Sequence, residues 1–245
     1  MKHYAVIGMP VDHSRSPEIY DALFKKHGID ADFIRLPISV EQLPDIRSIT
    51  KNLSGFAVTM PHKRSIIKYL DSLDPSAETC GAVNIVERSG ELLIGHNTDG
   101  AGLVDSLMDK GFSPMGKKAL IMGRGGAALS AACALENAGC SVCLLVRTLS
   151  IKSAFREKLI ADLDEEADLF VNASPLGMSG AEDYSDLGIL DVINPEIVFD
   201  MVYRNDRETK LIREAKRRGL VCLDGRAMLY KQALRAFYIF TGIDP

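Results

Sequence analysis

The sequence has 245 residues, of which 47% are hydrophobic and 25% charged, and its formal net charge at pH 7 is −4. This composition is ordinary for a globular protein with a large core. The slightly acidic balance argues against a nucleic-acid partner. Because no run of about 18 apolar residues occurs, no membrane-spanning segment is predicted.

Five cysteines are spread through a sequence that shows no export signal. An odd number of cysteines in that setting predicts reduced thiols and a cytoplasmic protein. Cys140 and Cys143 have the spacing of a redox or zinc pair, but they open an apolar run, which favours a buried strand. The histidines show no metal-ligand spacing, so no metal site is predicted.

Short apolar runs alternate with helical patterns along the whole chain. The predicted strands cover residues 4–9, 32–38, 55–59, 82–87, 119–122, 141–146, 169–172, 197–201 and 220–223. The predicted helices cover residues 17–27, 100–110, 126–138, 152–163, 206–218 and 227–241. This alternation predicts an α/β fold with parallel sheets and helices on both sheet faces. At the first helix, Ser16 is predicted as the N-cap, Pro17 as the first helical residue and Gly28 as the stop.

A glycine turn follows the apolar run that ends at Met122. Gly123, Gly125 and Ala128 form the G-x-G-x-x-A pattern between a predicted strand and a predicted helix. Such a turn binds the pyrophosphate of a dinucleotide at the positive end of the helix. A dinucleotide site is therefore predicted here, with a plain tight turn as the alternative.

The end of the predicted strand over residues 141–146 bears on the choice between NAD and NADP. It carries Arg147 and Thr148, with Lys152 shortly after, and lacks the acidic residue that holds the ribose 2′-hydroxyl of NAD. A guanidinium suits a 2′-phosphate, and Arg124 in the turn adds charge. These residues favour NADP, the alternative being that Arg147 only faces solvent.

Polar clusters occur at seven places along the chain, covering residues 8–17, 58–63, 81–84, 97–100, 172–178, 200–203 and 228–232. Together, in collinear order over nearly the whole chain, they resemble the shikimate dehydrogenase family. The resemblance implies an N-terminal α/β substrate domain plus a Rossmann-type doubly wound dinucleotide-binding domain. It also implies reversible, NADP-dependent reduction of 3-dehydroshikimate to shikimate in aromatic amino-acid biosynthesis.

The resemblance also implies roles for individual residues. Lys63 and Asp99 are the expected catalytic pair, and an ammonium such as Lys63 can supply the proton that a reduced ketone requires. Ser14 and Ser16 are expected to hold the substrate carboxylate. The other expected substrate-binding residues are Thr59, Asn84, Tyr203 and Gln232. The expected cofactor-binding residues are Gly123, Arg124, Gly125, Gly126, Ala127, Arg147, Thr148, Lys152, Met201 and Gly225.

Motif placement divides the chain near Asp99–Gly100. Residues 1–99 with 225–245 are expected to form the substrate-binding catalytic domain, and residues 100–224 the NADP-binding Rossmann domain. The expected partners are small molecules, with no nucleic acid and no membrane, in a monomer or homodimer. On local grounds alone, Ser16 and Asp99 could be helix caps, and Lys63 could begin a solvated basic helix.

Several positions depart from the family pattern. Ala57 stands where the family usually has asparagine, Ile85 where it usually has threonine, and Val146 where asparagine is common before Arg-Thr. The proline usual after the tyrosine motif is absent from residues 204–206. The alternatives are therefore a quinate/shikimate-type paralogue with relaxed substrate or NAD use, or a non-catalytic metabolite sensor.

Overall fold

The computed structural model describes residues 1–151, 153–184, 187–204 and 206–245. The chain contacts divide it into two compact units. The first unit consists of Met1–Asp99 and Gln232–Pro245, and the second of Gly100–Lys231. All of residues 225–245 were expected in the first unit. The structure differs because Ala227 and Met228, at the start of the last helix, pack against the core of the second unit.

The first unit contains a six-stranded sheet in the order β2-β1-β3-β5-β6-β4. Its strands are β1 (Lys2–Gly8), β2 (Ala31–Pro37), β3 (Gly55–Val58), β4 (Ser72–Leu73), β5 (Ile85–Ser89) and β6 (Leu92–His96). Its helices are α1 (Ser16–Lys26), α2 (Ile46–Ile49), α3 (Pro75–Cys80) and the C-terminal part of α8 (Gly225–Thr241), with 3₁₀ turns at Leu43–Asp45 and Ser65–Tyr69.

The expectation of a purely parallel sheet is wrong for this unit. Strand β5 runs antiparallel to both β3 and β6. The two-residue connection between β5 and β6 contains Gly90 at a φ of 61°. Such a short turn can only join antiparallel neighbours, whereas a parallel pair needs a longer crossover.

The second unit contains a parallel six-stranded sheet in the order β12-β11-β10-β7-β8-β9. Renumbered from β7, this is the 3-2-1-4-5-6 order of the Rossmann fold, so the α/β fold class is confirmed. The strands are β7 (Lys118–Met122), β8 (Ser141–Val146), β9 (Arg156–Leu159), β10 (Leu169–Asn172), β11 (Ile197–Asp200) and β12 (Val221–Asp224). The helices are α4 (Asp99–Met108), α5 (Gly126–Asn137), α6 (Ile189–Ile193), α7 (Lys210–Arg217) and the start of α8.

The predicted helix over residues 152–163 is wrong. Residues Arg156–Leu159 form the edge strand β9, and Ile160–Asp162 form a 3₁₀ turn. Phe155, Leu159 and Leu163 recur every four residues, which mimics a helical face. Pairing of β9 with β8 overrides that local pattern.

Two of the departures from the family pattern face each other. Ala57 of β3 is the register partner of Ile85 of β5. Both side chains are buried in an apolar cluster that includes Tyr4, Tyr20 and Phe240. The two changes therefore remove polarity from one cross-strand pair, where neighbouring side chains stabilise each other.

Among the described residues, no helix is long and apolar enough to cross a membrane.

Candidate active site and cofactor turn

In the first unit, two loops leave the sheet side by side, after β1 and after β3. The Met9 amide donates to the Met60 carbonyl at 3.0 Å, and the Thr59 amide donates to the Ile7 carbonyl at 2.8 Å. Gly8 is required where they meet, because a Cβ there would lie 2.3 Å from Cγ2 of Thr59. The β1 loop carries Ser14 and Ser16, and the β3 loop carries Thr59 and Lys63.

Ser14 and Ser16 bring their hydroxyl groups together. The Ser14 hydroxyl donates to the Ser16 hydroxyl at 3.2 Å, and the Ser16 amide donates to the Ser14 hydroxyl at 3.3 Å. Arg35 fixes the loop by donating to the Ser14 carbonyl. The predicted N-cap role of Ser16 is wrong, because Ser16 is the first helical residue and Arg15 occupies the cap without a side-chain hydrogen bond.

Lys63 and Asp99 form a salt bridge in which the ammonium donates to Oδ2 of the carboxylate. The Asp99 side chain is only 6% exposed, whereas that of Lys63 is 21% exposed. The carboxylate is thus held inside the unit while the ammonium retains access to solvent.

Asn84 connects this pair to the last helix. Its side-chain amide lies within hydrogen-bond distance of Oδ1 of Asp99 at 2.9 Å, the Thr98 hydroxyl at 3.0 Å and Oε1 of Gln232 at 3.2 Å. Its carbonyl oxygen accepts from the Thr98 amide. All four of these residues are buried. Neutral donors and acceptors therefore surround the Lys63–Asp99 pair, an arrangement suited to a ligand rich in hydroxyl groups.

His62 and Thr98 are parts of this site that the sequence analysis did not single out. His62 is fully buried, and its Nε2 lies 2.6 Å from the Ile38 carbonyl. The Val83 amide donates to the Lys63 carbonyl at 2.7 Å. Both contacts fix the backbone that carries the Lys63 ammonium. The signal in the sequence was adjacency alone, since each residue precedes a predicted catalytic residue.

In the second unit, the glycine turn lies where the strand order reverses, between β7 and β10. Gly123 follows β7 with a φ of +122°, and a Cβ there would lie 2.9 Å from the Ala173 carbonyl oxygen. Only glycine fits this close, left-handed position. Ligands of open α/β sheets bind at such a reversal point.

Gly125 meets a different environment from Gly123. It is the N-cap of α5, makes no side-chain cap hydrogen bond, and a Cβ there would meet nothing within 4 Å. The space beside Gly125, at the N-terminus of α5, is therefore open. This space and the cationic groups nearby fit a dinucleotide pyrophosphate. Gly126 and Ala127 begin the helix itself.

Arg147 and Thr148 are exposed immediately after β8. The Arg124 guanidinium donates to the Thr148 carbonyl at 3.2 Å and pairs with the Glu157 carboxylate at 3.4 Å. The structure thus brings together Arg124 and the Arg147–Thr148 segment, while Lys152 lies outside the described residues. Glu157 was not singled out, because it fell inside the wrongly predicted helix.

The remaining predicted residues of this unit lie beyond β11. A Cβ on Gly225 would lie 2.3 Å from the Met201 carbonyl oxygen and 3.2 Å from Cδ1 of Tyr203. Gly225 therefore permits close contact with the Met201–Tyr203 segment.

A buried carboxylate, Asp200, anchors that segment. It accepts hydrogen bonds from Thr209 at 2.6 Å, Asn172 at 2.8 Å and the Val202 amide at 3.1 Å. Burial nevertheless raises the pKa of Asp200 to about 6. The loops after β10 and β11 are thus joined through one titratable group.

Cys140 and Cys143 are free, buried thiols. Burial raises the pKa of Cys140 to about 11 and raises that of Cys143. Both thiols therefore stay protonated at neutral pH, which disfavours nucleophilic or metal-binding chemistry.

Comparison with known proteins places this fold and turn among the dinucleotide-dependent oxidoreductases. The family model for the shikimate dehydrogenase substrate binding domain matches residues 6–86. The chain is 37% identical to the shikimate dehydrogenase (NADP(+)) of Geobacter sulfurreducens, covering 98% of this chain and 91% of that protein. It is 35% identical to the one from Bacillus subtilis, covering 100% and 93%. This chain belongs to the shikimate dehydrogenase family.

A solved structure agrees with this assignment. Shikimate 5-dehydrogenase from Thermus thermophilus, in complex with NADP(H) and shikimate, superposes with a TM-score of 0.90 at 31% identity. The match covers 100% of this chain and 95% of that one. The resemblance of the polar clusters to this family is thereby confirmed.

Proposed function

We propose that this chain is a cytoplasmic, NADP-dependent shikimate dehydrogenase of aromatic amino-acid biosynthesis. It reversibly reduces 3-dehydroshikimate to shikimate. The observation that carries the proposal is the Lys63–Asp99 salt bridge, set among neutral polar groups in a chain of this family. The free thiols agree with a reducing compartment.

In this proposal Lys63 handles the proton. Reducing a ketone adds a hydride to carbon and a proton to oxygen, and bound NADPH supplies the hydride. The Lys63 ammonium stabilises the negative charge that develops on oxygen and then donates its proton there. Asp99 orients the ammonium and accepts a hydrogen bond from a substrate hydroxyl. In the reverse direction the neutral Lys63 amine takes the hydroxyl proton.

The other side chains bind and orient the ligands. The paired hydroxyls of Ser14 and Ser16 hold the substrate carboxylate. Thr59, Asn84, Gln232 and Tyr203 hold the substrate hydroxyls. Gly125 and the start of α5 admit the pyrophosphate. The proposed contacts to the rest of the cofactor come from Gly123, Arg124, Gly126, Ala127, Arg147, Thr148, Lys152, Met201 and Gly225.

The experiment is a steady-state assay of shikimate oxidation with NADP, followed by reduced-nicotinamide absorbance. We expect Lys63→Ala to lower kcat by about 10²–10⁴, with shikimate affinity measured by calorimetry largely retained. Lys68→Ala is the matched control, since that exposed lysine lies over the Tyr69 ring and outside the site.

Three outcomes would contradict the proposal. Near-normal turnover by Lys63→Ala removes Lys63 from the chemistry. Faster turnover of quinate, or of NAD, assigns the chain to the paralogue alternative. Binding of shikimate or NADP without turnover by the unaltered protein assigns it to the sensor alternative.

A further inference from the structure

A glutamate whose side chain is shielded from solvent lies beside the cofactor turn, where no acidic residue was expected. Glu157 belongs to β9, opposite Leu144 of β8, and its side chain is only 4% exposed. Buried carboxylates are costly unless they are paired and hydrogen-bonded. The groups that donate hydrogen bonds to Glu157 therefore identify the parts of the chain that it holds in place.

Every described donor to this carboxylate comes from the cofactor side of the sheet. The Ser150 amide donates to Oε2 at 2.7 Å, and the Ser153 hydroxyl donates as well. The Arg124 guanidinium lies 3.4 Å from both carboxylate oxygens. Burial acts to raise the pKa of Glu157, but these donors lower it below its ordinary value, so the group is anionic at neutral pH.

These contacts join the glycine turn to the segment that follows β8. Arg124 also donates to the carbonyl of Thr148, and the Gly123 amide donates to the carbonyl of Leu145 at 3.0 Å. Glu157 thus fixes Arg124 from one side and the segment after Thr148 from the other. The exposed Arg147 and Thr148 lie between these fixed points.

An acid near this position could instead hold a ribose 2′-hydroxyl, as in NAD-binding folds. The structure disfavours that role, because the Glu157 carboxylate is shielded from solvent and its oxygens already accept from the protein. Its charge is also opposed by the adjacent guanidinium of Arg124.

We propose that Glu157 is a positioning residue for the 2′-phosphate of NADP. It orders Arg124 and the Arg147–Ser150 segment before the cofactor arrives, so less freedom is lost on binding. This inference rests on the NADP dependence proposed above. Beyond that proposal, it assigns selectivity for NADP over NAD to a residue that touches no part of the cofactor.

The test measures binding of the adenosine end alone, without shikimate or catalysis. Adenosine 2′,5′-bisphosphate and adenosine 5′-monophosphate are titrated calorimetrically into the full chain and its variants. We expect Glu157→Ala to weaken the bisphosphate about tenfold and the monophosphate less than about twofold. Glu157→Gln is expected to lie between, because its amide oxygen still accepts from the Ser150 amide.

Two further variants calibrate the result. Arg147→Ala is the positive control, because it removes the proposed phosphate ligand itself. Glu165→Ala is the matched control, since Glu165 is a glutamate with a side chain only 15% exposed that pairs with Lys118 and Arg156 of the same sheet, away from the turn. Hydrogen exchange adds a readout of order, and we expect the Ser150 amide to exchange faster in Glu157→Ala than in Glu165→Ala.

Equal weakening of both nucleotides, or no weakening, would overturn the inference. Tighter binding of the bisphosphate by Glu157→Ala would show that Glu157 opposes the 2′-phosphate. If Glu157→Ala does not fold, Glu157→Gln carries the same comparison, and unaltered selectivity in that variant overturns the inference. A wild-type chain that prefers the bisphosphate yet fails to oxidise shikimate would contradict the proposed activity alone.

Discussion

Two buried tyrosines of the first unit differ in what their hydroxyl groups contact. The Tyr4 hydroxyl donates to the Phe240 carbonyl at 3.1 Å. Tyr20 stacks on Phe33 with ring centroids 4.2 Å apart, but among the described residues its buried hydroxyl has no hydrogen-bond partner. A buried polar group without a partner is destabilising, whereas the ring around it is not.

We therefore expect Tyr20→Phe to raise the free energy of unfolding by about 1 kcal/mol and Tyr4→Phe to lower it by about 1 kcal/mol. Urea denaturation of both variants and the wild type measures the difference. Because the two substitutions remove the same atom from the same cluster, each serves as the control for the other. Destabilisation of equal size in both would mean that the Tyr20 hydroxyl is satisfied after all.

At this scale, the expectation that Lys63 and Asp99 act together came from the resemblance to the shikimate dehydrogenase family and not from the residue pattern. The structure pairs the two side chains in a salt bridge, and their catalytic roles stay a prediction. The contact of Gln232 with Asn84, 148 positions apart, depends on where α8 packs. His62 and Glu157 act through backbone carbonyls, amides and burial, which leave no motif in the sequence.

The two sheets share one device at the level of elements. In each, a glycine at the end of a strand or directly after it lies beside the point where the strand order reverses, and the loop after the neighbouring strand approaches it closely. Gly8 meets Thr59 in the first unit, and Gly123 meets Ala173 in the second. Because glycine has no side chain, each of these positions leaves room for the neighbouring loop at the edge where ligands of such sheets bind.

The contrast between Gly123 and Gly125 gives a prediction. Gly123→Ala should lower the free energy of unfolding by about 2 kcal/mol, because alanine disfavours a φ of +122° and meets the Ala173 carbonyl. Gly125→Ala should leave stability unchanged but weaken NADP and NAD by the same factor, because its methyl group enters the space proposed for the pyrophosphate. Urea denaturation and nucleotide titration check the two halves.

The opposite pattern, with Gly125→Ala unstable and still binding nucleotide, would move the pyrophosphate away from the start of α5. Weaker binding of NADP with unchanged binding of NAD would place Gly125 at the 2′-phosphate site. It would contradict the separate roles proposed for Gly125 and Glu157.

Elements with strong periodicity or clear end signals were predicted well from the sequence. Helix α5 and strands β7 and β8 lie within a residue or two of their expected bounds, since glycine delimits each. The failure at residues 152–163 has a physical cause: apolar spacing there suits a helix, but β9 gains its stability from the neighbouring β8. Likewise, the antiparallel placement of β5 depends on the Gly90 turn, which apolar periodicity does not reveal.

For the whole molecule, Asp200 links stability to pH. Its pKa of about 6 in the folded chain lies above the ordinary 3.8, so the folded state binds the proton more tightly than the unfolded state. Its contribution is therefore full below pH 3.8 and is lost as the pH rises to about 6. The total loss is about 3 kcal/mol.

Asp200→Asn should remove this pH-dependent contribution to stability, even if the variant is less stable at every pH. Urea denaturation between about pH 4 and pH 7 should show the wild type losing stability relative to the variant as the pH rises. Asp109→Asn is the control, since that carboxylate is 60% exposed and pairs with Lys231 at the surface. Parallel curves for wild type and Asp200→Asn would refute the assignment.

The division of the chain also sets an order of assembly. The second unit is one continuous stretch, Gly100–Lys231, whereas the first needs Gln232–Pro245 to supply Gln232 and the aromatic rings of Phe237 and Phe240. On a ribosome, all residues of the second unit emerge before the first unit has its full complement. Domains fold as units during synthesis. The part of the protein that is made first is therefore the part that is finished last.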